Sequence, residues 1–393
     1  MRILCLTPRL PYPPNRGDRL RAFHIIEHLA AHHELTLASF ISHEAQRQYV
    51  APLEQYGHVH VVSQGPLRSA AAVAGNVWRR APLQALYYRS RAMRRLVDDL
   101  VEATPFDAAY VHLFRMAPYL AGRRRLYRVV DLTDAISKEV GLSLPYRSPA
   151  WRLLYRLEGP RIARYECRVA REFEETWLIS EADRQHLAAA CPGANLRVVP
   201  NGVDTAHFQP TGRPVEPDSL IFVGHMGVPH NVDAARYLVA EILPLVRQRV
   251  PDVRLSIVGA DPAPEVERLG QEPGVAVTGF VPDLNDYLNR AAVFVAPLRF
   301  AAGVQNKVLE AMAAGRPVVT TSVINAGLGG VPGRDLLVAD GTPAMVAQVV
   351  RLLQDGELRE QIGRAGRQFV QSRYSWQHAV RRMAAIERDR GSR

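Results

Sequence analysis

Short apolar runs alternate with longer amphipathic stretches along nearly the whole of this 393-residue chain. Apolar runs of this kind are typical of strands that are buried on both faces, and amphipathic stretches are typical of the helices that cover them. The alternation therefore predicts an α/β fold, with parallel sheets between layers of helices. Because the chain is about two to three times as long as a typical single domain, two such sheets are expected.

A polar segment that contains three prolines, Phe208–Pro217, divides the alternation into two halves. Polar, proline-bearing segments are typical linkers. We therefore predict two doubly wound, Rossmann-like domains, 1–205 and 206–374, which face each other across a cleft. Ligands of such sheets bind beyond the carboxyl ends of the strands, so the main site is expected in that cleft. A final helix, 375–393, is expected to pack back onto the first domain.

The two periodicities also place the expected elements along the chain. In the first half, strands are expected near residues 1–7, 34–41, 57–63, 107–112, 126–131, 175–180 and 196–199. Helices there are expected near 19–32, 43–55, 89–103, 150–171 and 181–190. In the second half, strands are expected near 219–224, 253–259, 274–278, 292–297 and 316–322. Helices there are expected near 231–249, 284–290, 305–314, 343–354 and 357–372.

Positive charge is concentrated in the first half of the chain. Residues 1–200 contain 28 Lys and Arg against 19 Asp and Glu, and residues 201–393 contain 21 against 20. A solvated basic face and an attraction to anionic lipid or an anionic acceptor both explain this excess. Binding of nucleic acid is disfavoured, because aromatic interleaving and the known binding motifs are missing. Peripheral membrane attachment would use the arginines of this half, which cluster within 79–95, 123–128 and 152–171, and apolar residues such as Val77, Trp78 and Leu83.

The N-terminus and the cysteines favour a cytoplasmic protein. The first strand is followed at once by Pro8 and Arg9 and lacks the apolar core of a signal peptide, and no stretch approaches the roughly 18 apolar residues of a spanning helix. Three cysteines, Cys5, Cys167 and Cys191, are too few and too scattered for a disulfide framework or a zinc site. The expected location is the cytoplasm, with peripheral attachment to the inner face of the cell membrane as the alternative.

The segment from Ala296 to Val319 carries the densest signal for chemistry. Backbone N–H groups from Gly303 to Asn306 are expected at the start of a short helix, where the positive end of the helix dipole favours phosphate. Lys307 follows them and is one of two lysines in a chain with 47 arginines, and its compact ammonium suits a phosphate oxygen. Glu310 lies one turn further and can accept two hydroxyl hydrogens from a ribose. The alternative is a surface ion pair between Lys307 and Glu310.

Around this segment, the order and spacing of several motifs resemble the retaining GT4-type glycosyltransferases of the GT-B fold. The resemblance extends from Met1 to about Trp376, and Arg9–Arg19 is most similar to bacterial sugar transferases associated with exopolysaccharide export. The motifs are Val199–Asp204, Phe222–Gly224, Leu255–Gly259, Val277–Asp283 and Lys307–Val318.

The resemblance implies roles for residues that bind the donor. Glu310 matches the second glutamate of the family's Glu-x7-Glu motif, which binds the nucleotide ribose. Gly17 matches a glycine that lets the backbone approach the diphosphate, although an ordinary turn also explains it. The other implied donor-binding residues are Gly303, Val304 and Gln305 near the sugar and diphosphate, and Phe280 and Val281 near the base.

Three acceptor-side residues are expected at the carboxyl edge of the first sheet. His112 ends a strand and resembles the family histidine that lies near the transferred sugar, whereas a structural histidine is the alternative. Asp131 and Asp134 follow another strand and are candidates for orienting the acceptor, with Arg16. The N-cap of a helix explains Asp134 equally well.

Two departures from the family pattern affect the donor site. The first motif glutamate is replaced by Ala302, and the usual Arg and Lys after the first strand of the second domain are absent from Gly224–Asn231. Lys307 is therefore expected to carry most of the charge compensation and to act as a catalytic residue together with His112. Candidate helpers are Arg299, Arg16 and His225.

The resemblance implies a glycosyltransferase that moves a sugar from a nucleotide diphosphate sugar to a hydroxyl of a glycan or lipid-linked acceptor, with retention. It implies no metal and no other cofactor, and the sequence has neither an Asp-x-Asp motif nor a cluster with ligand spacing. A role in polysaccharide biosynthesis is expected. The alternatives are a nucleotide-sugar epimerase of the same fold and a non-catalytic subunit of a polysaccharide assembly complex. An NAD-dependent oxidoreductase is disfavoured, because no Gly-x-Gly-x-x-Gly follows the first strand.

Overall fold

The computed structural model describes residues 1–14, 17–76, 78, 81–301, 303–381 and 383. It divides into two compact units. Unit 1 comprises Met1–Pro200 and the described residues from Val380 onward, and unit 2 comprises Asn201–Ala379. The division falls after Pro200 rather than after residue 205, because Val203 donates a backbone hydrogen bond to Tyr374 (2.6 Å) within unit 2.

Unit 1 contains a seven-stranded parallel sheet with the strand order β3-β2-β1-β4-β5-β6-β7. Its strands are β1 (Arg2–Thr7), β2 (Glu34–Ile41), β3 (His58–Ser63), β4 (Ala108–His112), β5 (Tyr127–Thr133), β6 (Glu175–Leu178) and β7 (Leu196–Val198). Its α-helices are α1 (Gly17–Ala30), α2 (Ala51–Glu54), α3 (Pro66–Ala74), α4 (Leu83–Tyr87), α5 (Arg91–Ala103), α6 (Ile136–Ser143), α7 (Pro149–Glu172) and α8 (Glu181–Ala190). Short 3₁₀ helices cover Glu44–Tyr49, Ala117–Tyr119 and Leu144–Tyr146.

Unit 2 contains a six-stranded parallel sheet with the order β10-β9-β8-β11-β12-β13. Its strands are β8 (Ser219–Val223), β9 (Arg254–Val258), β10 (Val275–Val277), β11 (Val293–Ala296), β12 (Val318–Thr320) and β13 (Leu337–Val338). Its α-helices are α9 (Pro229–Tyr237), α10 (Leu243–Arg247), α11 (Pro264–Glu267), α12 (Leu284–Arg290), α13 (Asn306–Ala313), α14 (Ser322–Leu328), α15 (Thr342–Gln354) and α16 (Gly356–Arg373). A last helix, α17 (Trp376–Arg381), follows, and Arg268–Gln271 forms a 3₁₀ turn.

The first sheet is buried on both faces, which explains its apolar strands. Along β1, Leu4 and Leu6 belong to one core cluster, whereas Ile3 and Cys5 belong to the cluster on the other face. The buried Met383 packs in the second of these clusters, so the chain returns to unit 1 after α17. The rest of the predicted 375–393 helix beyond Arg381 lies outside the described residues. The predicted α/β class with two doubly wound sheets is confirmed.

Two predicted helices are interrupted by proline. The helix expected over 43–55 is a 3₁₀ turn followed by the single turn of α2, in which Pro52 has no N–H to continue a helical ladder. The helix expected over 231–249 is divided by a π-helical segment, Leu238–Ile242, just before Pro244. The sequence analysis also missed the helices α3, α4, α6, α11 and α14 and the strand β13.

Two of the three cysteines are joined, although the sequence predicts no disulfide framework. Cys167 on α7 and Cys191 after α8 form a disulfide, with Cα atoms 5.3 Å apart. Their separation of 24 residues gives no sign of this, because packing of α8 near α7 brings them together. Cys5 is buried, and burial raises the pKa of its thiol to about 12. None of the helices in the described ranges is both long enough and apolar enough to span a membrane.

Candidate active site

Glycines bring bare backbone together at the carboxyl edge of the second sheet. Gly224 follows β8 and Gly259 follows β9, and a Cβ on Gly259 would overlap the carbonyl oxygen of Gly224. The end of β10 is linked to them, because the N–H of Gly259 donates to the carbonyl oxygen of Gly279 (3.0 Å). This close approach explains why the motif places glycine at both strand ends.

The loop before α13 presents the backbone that the sequence predicts as a phosphate site. Gly303 has a left-handed φ of 66°, and a Cβ on Gly327 would overlap its carbonyl oxygen. Val304 is buried and Gln305 is the N-cap of α13. The helical ladder begins with the N–H of Val308, which donates to Gln305 O (3.0 Å). The helix therefore starts within one residue of its predicted position.

Lys307 is held at the start of α13 by a residue from the first turn of α9. Its Nζ donates to Oδ1 of Asn231 and lies 5.5 Å from the ring centroid of Phe222. Asn231 is buried, and its Nδ2 in turn donates to the carbonyl oxygen of His225 (3.0 Å). Burial lowers the pKa of Lys307 to about 7, although the charge of Glu310 acts in the opposite direction. Asn231 thus lies in the segment Gly224–Asn231, where the family's usual Arg and Lys are missing. It orients the ammonium group of Lys307.

Glu310 lies one helical turn after Lys307 and is partly buried. Burial raises the pKa of its carboxyl group to about 7, and Lys307 opposes this rise. Among the ion pairs of the described ranges, none joins Lys307 to Glu310, so the surface-pair interpretation is wrong. The carboxyl group therefore remains available for another hydrogen-bond donor.

Two candidate helpers are already paired with carboxylates. Arg299 donates to both oxygens of Asp233 (2.9 and 2.5 Å), and its guanidinium lies 4.8 Å from the ring centroid of Tyr237. His225 Nε2 lies 2.9 Å from Oδ2 of Asp261. The positive charge of Arg299 is thus largely compensated inside unit 2.

In unit 1, a buried hydrogen-bond network surrounds Asp131. Arg21 donates to both of its carboxylate oxygens (2.7 and 3.1 Å), and Tyr110 Oη donates to Oδ2 (2.8 Å). The backbone N–H of Thr133 donates to Oδ1 (3.0 Å). Burial alone raises the pKa of Asp131, but Arg21 and His112 together lower it well below its ordinary value. Asp131 is therefore a fixed anion inside the fold.

The same network orients His112 at the end of β4. The hydroxyl hydrogen of Tyr110 is used by Asp131, so its 3.1 Å contact with His112 requires Nδ1 of the imidazole to donate. The neutral ring then presents Nε2 as an acceptor. His112 is only 2% exposed, yet Nε2 has no hydrogen-bond partner among the described residues.

Backbone strain marks the ends of β4 and β5. Leu113 and Thr133 both have a left-handed φ, 64° and 67°, although neither is a glycine. The N–H of Leu113 donates to Asp131 O (2.7 Å), which links the two strand ends. Strain of this kind persists where the surroundings fix the backbone, and it is common at functional sites.

Sequence and structure comparisons relate the chain to glycosyltransferases. Residues 217–355 match the family model described as glycosyl transferases group 1. The chain is 29% identical over 322 residues to a GDP-mannose-dependent alpha-(1-6)-phosphatidylinositol monomannoside mannosyltransferase of Mycolicibacterium smegmatis, which spans 75% of this chain and 78% of that protein. It is 22% identical over 388 residues to an uncharacterized 44.6 kDa protein in the cps region of Klebsiella pneumoniae, covering 95% and 96%. The crystal structure of Anabaena HepE in complex with UDP has the same fold, with a TM-score of 0.69, 17% identity and coverage of 98% and 99%.

These matches support a GT4-type glycosyltransferase of the GT-B fold. The resemblance stated from the motifs is thereby confirmed, as is glycosyl transfer from a nucleotide sugar.

Other predicted donor-side residues of the transferase stand as follows. Gly17 begins α1, and a Cβ there would meet nothing within 4 Å. Phe280 is 72% exposed after β10, and Val281 is partly exposed beside it. Arg16 and Ala302 lie outside the described residues.

Three residues predicted to face a membrane, Val77, Arg79 and Arg80, also lie outside the described residues, whereas Trp78 is exposed.

The acceptor role predicted for Asp131 and the N-cap alternative for Asp134 both need correction. Asp131 is fully buried with both oxygens occupied, so it positions Tyr110 and His112 instead of contacting an acceptor. Asp134 is not an N-cap, because α6 is capped at Ala135 and its first amides donate to Glu166 on α7. Glu166 was missed, since it is distant in sequence and only the packing of α7 brings it to α6.

Asp134 lies in a buried acidic environment. Its Oδ1 is buried and has no partner in the part of the chain that the structure describes. Burial, with the nearby charges of Asp183 and Glu139, raises the pKa of its carboxyl group well above the ordinary value. Within the described ranges, no group of three or more His, Cys, Asp and Glu is placed to hold a metal ion.

Proposed function

We propose that the transferase moves a sugar from a nucleotide diphosphate sugar to a hydroxyl of a glycan or lipid-linked acceptor, with retention of configuration, in polysaccharide biosynthesis. The observation that carries the proposal is Lys307, held by Asn231 at the start of α13 beside the Gly303 loop. The names of two relatives support it: one uses GDP-mannose on a phosphatidylinositol mannoside, and the other is encoded in a cps region.

Charge compensation is the main contribution of unit 2 in this proposal. Negative charge grows on the leaving diphosphate as the bond to the sugar breaks, and fixed donors at that position lower the barrier. Lys307 and the amides that precede the helical ladder of α13 supply these donors. We propose that they act without a metal ion or other cofactor. Glu310 accepts hydrogen bonds from the ribose hydroxyls and so positions the leaving nucleotide.

Unit 1 contributes the acceptor side. The orphaned Nε2 of His112 accepts a hydrogen bond from a sugar hydroxyl, while Tyr110 and Asp131 hold the ring in the required tautomer. Arg21 keeps Asp131 ionised and therefore keeps this arrangement fixed. We further propose a cytoplasmic enzyme that attaches peripherally to the membrane through the basic unit 1.

Product analysis tests the reaction directly. The full chain is incubated with GDP-mannose or UDP-glucose, with and without an alkyl glycoside acceptor, and the release of nucleotide is measured. We expect release that depends on the acceptor, and a product whose one-bond C1–H1 coupling shows the same anomeric configuration as the donor. Release that the acceptor does not change contradicts transfer, and an inverted product contradicts retention.

The pH dependence of donor binding tests the role of Lys307. With a pKa of about 7, its ammonium is charged below neutral pH and loses its charge as the pH rises, whereas the diphosphate of a nucleotide sugar stays ionised. We therefore expect the affinity for the donor to fall about tenfold between roughly pH 6.5 and 8.5. Isothermal titration calorimetry across this range measures the change.

Lys307→Arg is the matched control, because a guanidinium keeps its charge throughout this range. Glu310, whose pKa is also about 7, titrates in both proteins, so the difference between the two profiles isolates Lys307. Identical pH profiles in the two proteins would show that the ammonium does not contact the diphosphate.

A further inference from the structure

A large cavity in unit 1 has no role in the chemistry described above. Its volume is about 1070 Å³, and α3, α4, the start of α5, the Ala117–Tyr119 turn and α7 form its walls. Among the described residues, its lining contains a single carboxylate, that of Glu172. Six arginines line it: Arg68, Arg89, Arg91, Arg94, Arg115 and Arg168.

The cavity is separate from the candidate active site. Its tyrosines, Tyr88, Tyr119 and Tyr165, belong to the core cluster on one face of the first sheet. Tyr110, which orients His112, belongs to the cluster on the other face. None of the donor-binding or acceptor-side candidates that the structure describes lines the cavity.

Contacts with carbonyl oxygens and aromatic rings orient two of its guanidinium groups without neutralising them. Arg94 donates to the carbonyl oxygens of Pro118 and Tyr119, and its guanidinium lies 5.3 Å from the ring centroid of Tyr119. The guanidinium of Arg168 lies 4.5 Å from the ring centroid of Tyr165. Glu172 accepts a hydrogen bond from the backbone of Gly122 (2.8 Å).

Several arginines elsewhere in this chain differ from four of those in the cavity, because they pair with carboxylates. Arg21, Arg128 and Arg299 each pair with a carboxylate elsewhere in the fold. The ion pairs found in the described ranges do not include Arg68, Arg91, Arg94 or Arg168. These four arginines therefore bring to the cavity positive charge that no ion pair of the described ranges balances.

The number of guanidinium groups favours a phosphate over a carboxylate as their ligand. A carboxylate accepts one bidentate arginine on each edge, whereas a phosphate ester carries up to two charges and three acceptor oxygens for several donors at once. The cavity is also at the upper end of the roughly 300–1,000 Å³ typical of small-molecule sites, and far larger than a phosphate ion. Alanines, Leu86 and the three tyrosine rings line the remaining space.

We propose that this arginine-lined cavity in unit 1 binds the phosphate or diphosphate of an amphipathic ester, whose apolar part packs on the tyrosine rings and small side chains. Such an ester reaches the cavity from a bilayer or as a free molecule. The site binds this ligand independently of sugar transfer.

Calorimetric titration of the full chain with three probes tests the proposal. The probes are farnesyl diphosphate, inorganic pyrophosphate and farnesol, and all are titrated into the Lys307→Ala variant so that the donor site does not contribute. We expect farnesyl diphosphate to bind saturably, about tenfold or more tightly than either other probe. Absence of saturable binding overturns the proposal, and equal affinity for pyrophosphate overturns its amphipathic part. Vesicles that contain phosphatidic acid displace the probe if the ligand comes from a bilayer and leave it bound if the ligand is a free ester.

Two pairs of exposed arginines provide a charge-matched comparison. Arg91→Gln with Arg168→Gln removes two charges from the cavity, and Arg95→Gln with Arg171→Gln removes two charges from the same helices outside it. We expect about a tenfold loss of affinity from the first pair and less than about a twofold loss from the second. Equal losses from both pairs would show that binding is a non-specific attraction to the basic surface. Melting temperatures of both double variants verify that the fold is intact.

Discussion

Replacing Lys307 by alanine is expected to lower kcat for sugar transfer by about 10²–10³-fold, since it removes a fixed donor aimed at a developing charge. The effect is expected to be large because the chain offers little to replace the lysine. Arg299 is engaged by Asp233, and the loop after β8 contributes Asn231 and histidines where the family has a basic clamp. Steady-state kinetics with the donor identified by the product assay measure the change.

Two further variants separate chemistry from folding. Arg351→Ala removes an exposed positive charge from α15 in the same unit and is expected to leave kcat unchanged. Asn231→Ala is expected to lower kcat to a smaller extent, because the ammonium remains but loses the partner that orients it. Near-normal turnover of Lys307→Ala, with an unchanged melting temperature, would contradict the assignment of the donor site.

The sequence predicts the backbone of the donor site better than its side-chain contacts. The strand, loop and helix around Gly303 follow from local apolar runs and glycines, which act over a few residues. The contact between Lys307 and Asn231 joins residues 76 positions apart and depends on β8 and β11 being neighbours in the sheet. The doubly wound topology predicts that β8 and β11 are neighbours. The directions of the Lys307 and Asn231 side chains, however, are set by packing.

On the acceptor side, too, the sequence predicts where residues lie better than it predicts their side-chain contacts. His112 and Asp131 were both expected at a strand end, and the register of β4 and β5 does place them opposite each other. Which way Asp131 faces depends on a partner 110 residues earlier in the chain, Arg21, and on Tyr110. Asp131, which the sequence predicts as an acceptor contact, is thus a buried anion inside unit 1. No local sequence pattern distinguishes these two roles.

Replacing Arg21 by leucine is expected to destabilise unit 1 by about 3–5 kcal/mol, because it leaves the buried Asp131 carboxylate without its main counter-charge. Both side chains are fully buried, so water cannot replace the lost hydrogen bonds. The expected fall in the melting temperature of this unit is roughly 10 °C, given its size. Fluorescence of Trp177, which is buried 5.8 Å from Tyr110 between ring centroids, reports the transition.

The partner variants test whether the charge itself is responsible. Adding Asp131→Asn to Arg21→Leu removes the stranded charge, so we expect the double variant to be more stable than Arg21→Leu alone. Arg47→Leu breaks an exposed ion pair with Glu44 and is expected to leave the melting temperature unchanged. If Arg21→Leu and the double variant melt at the same temperature, the loss comes from packing around Arg21, and the network does not depend on an ionised Asp131. In that case the orientation of His112 by a fixed anion also loses its basis.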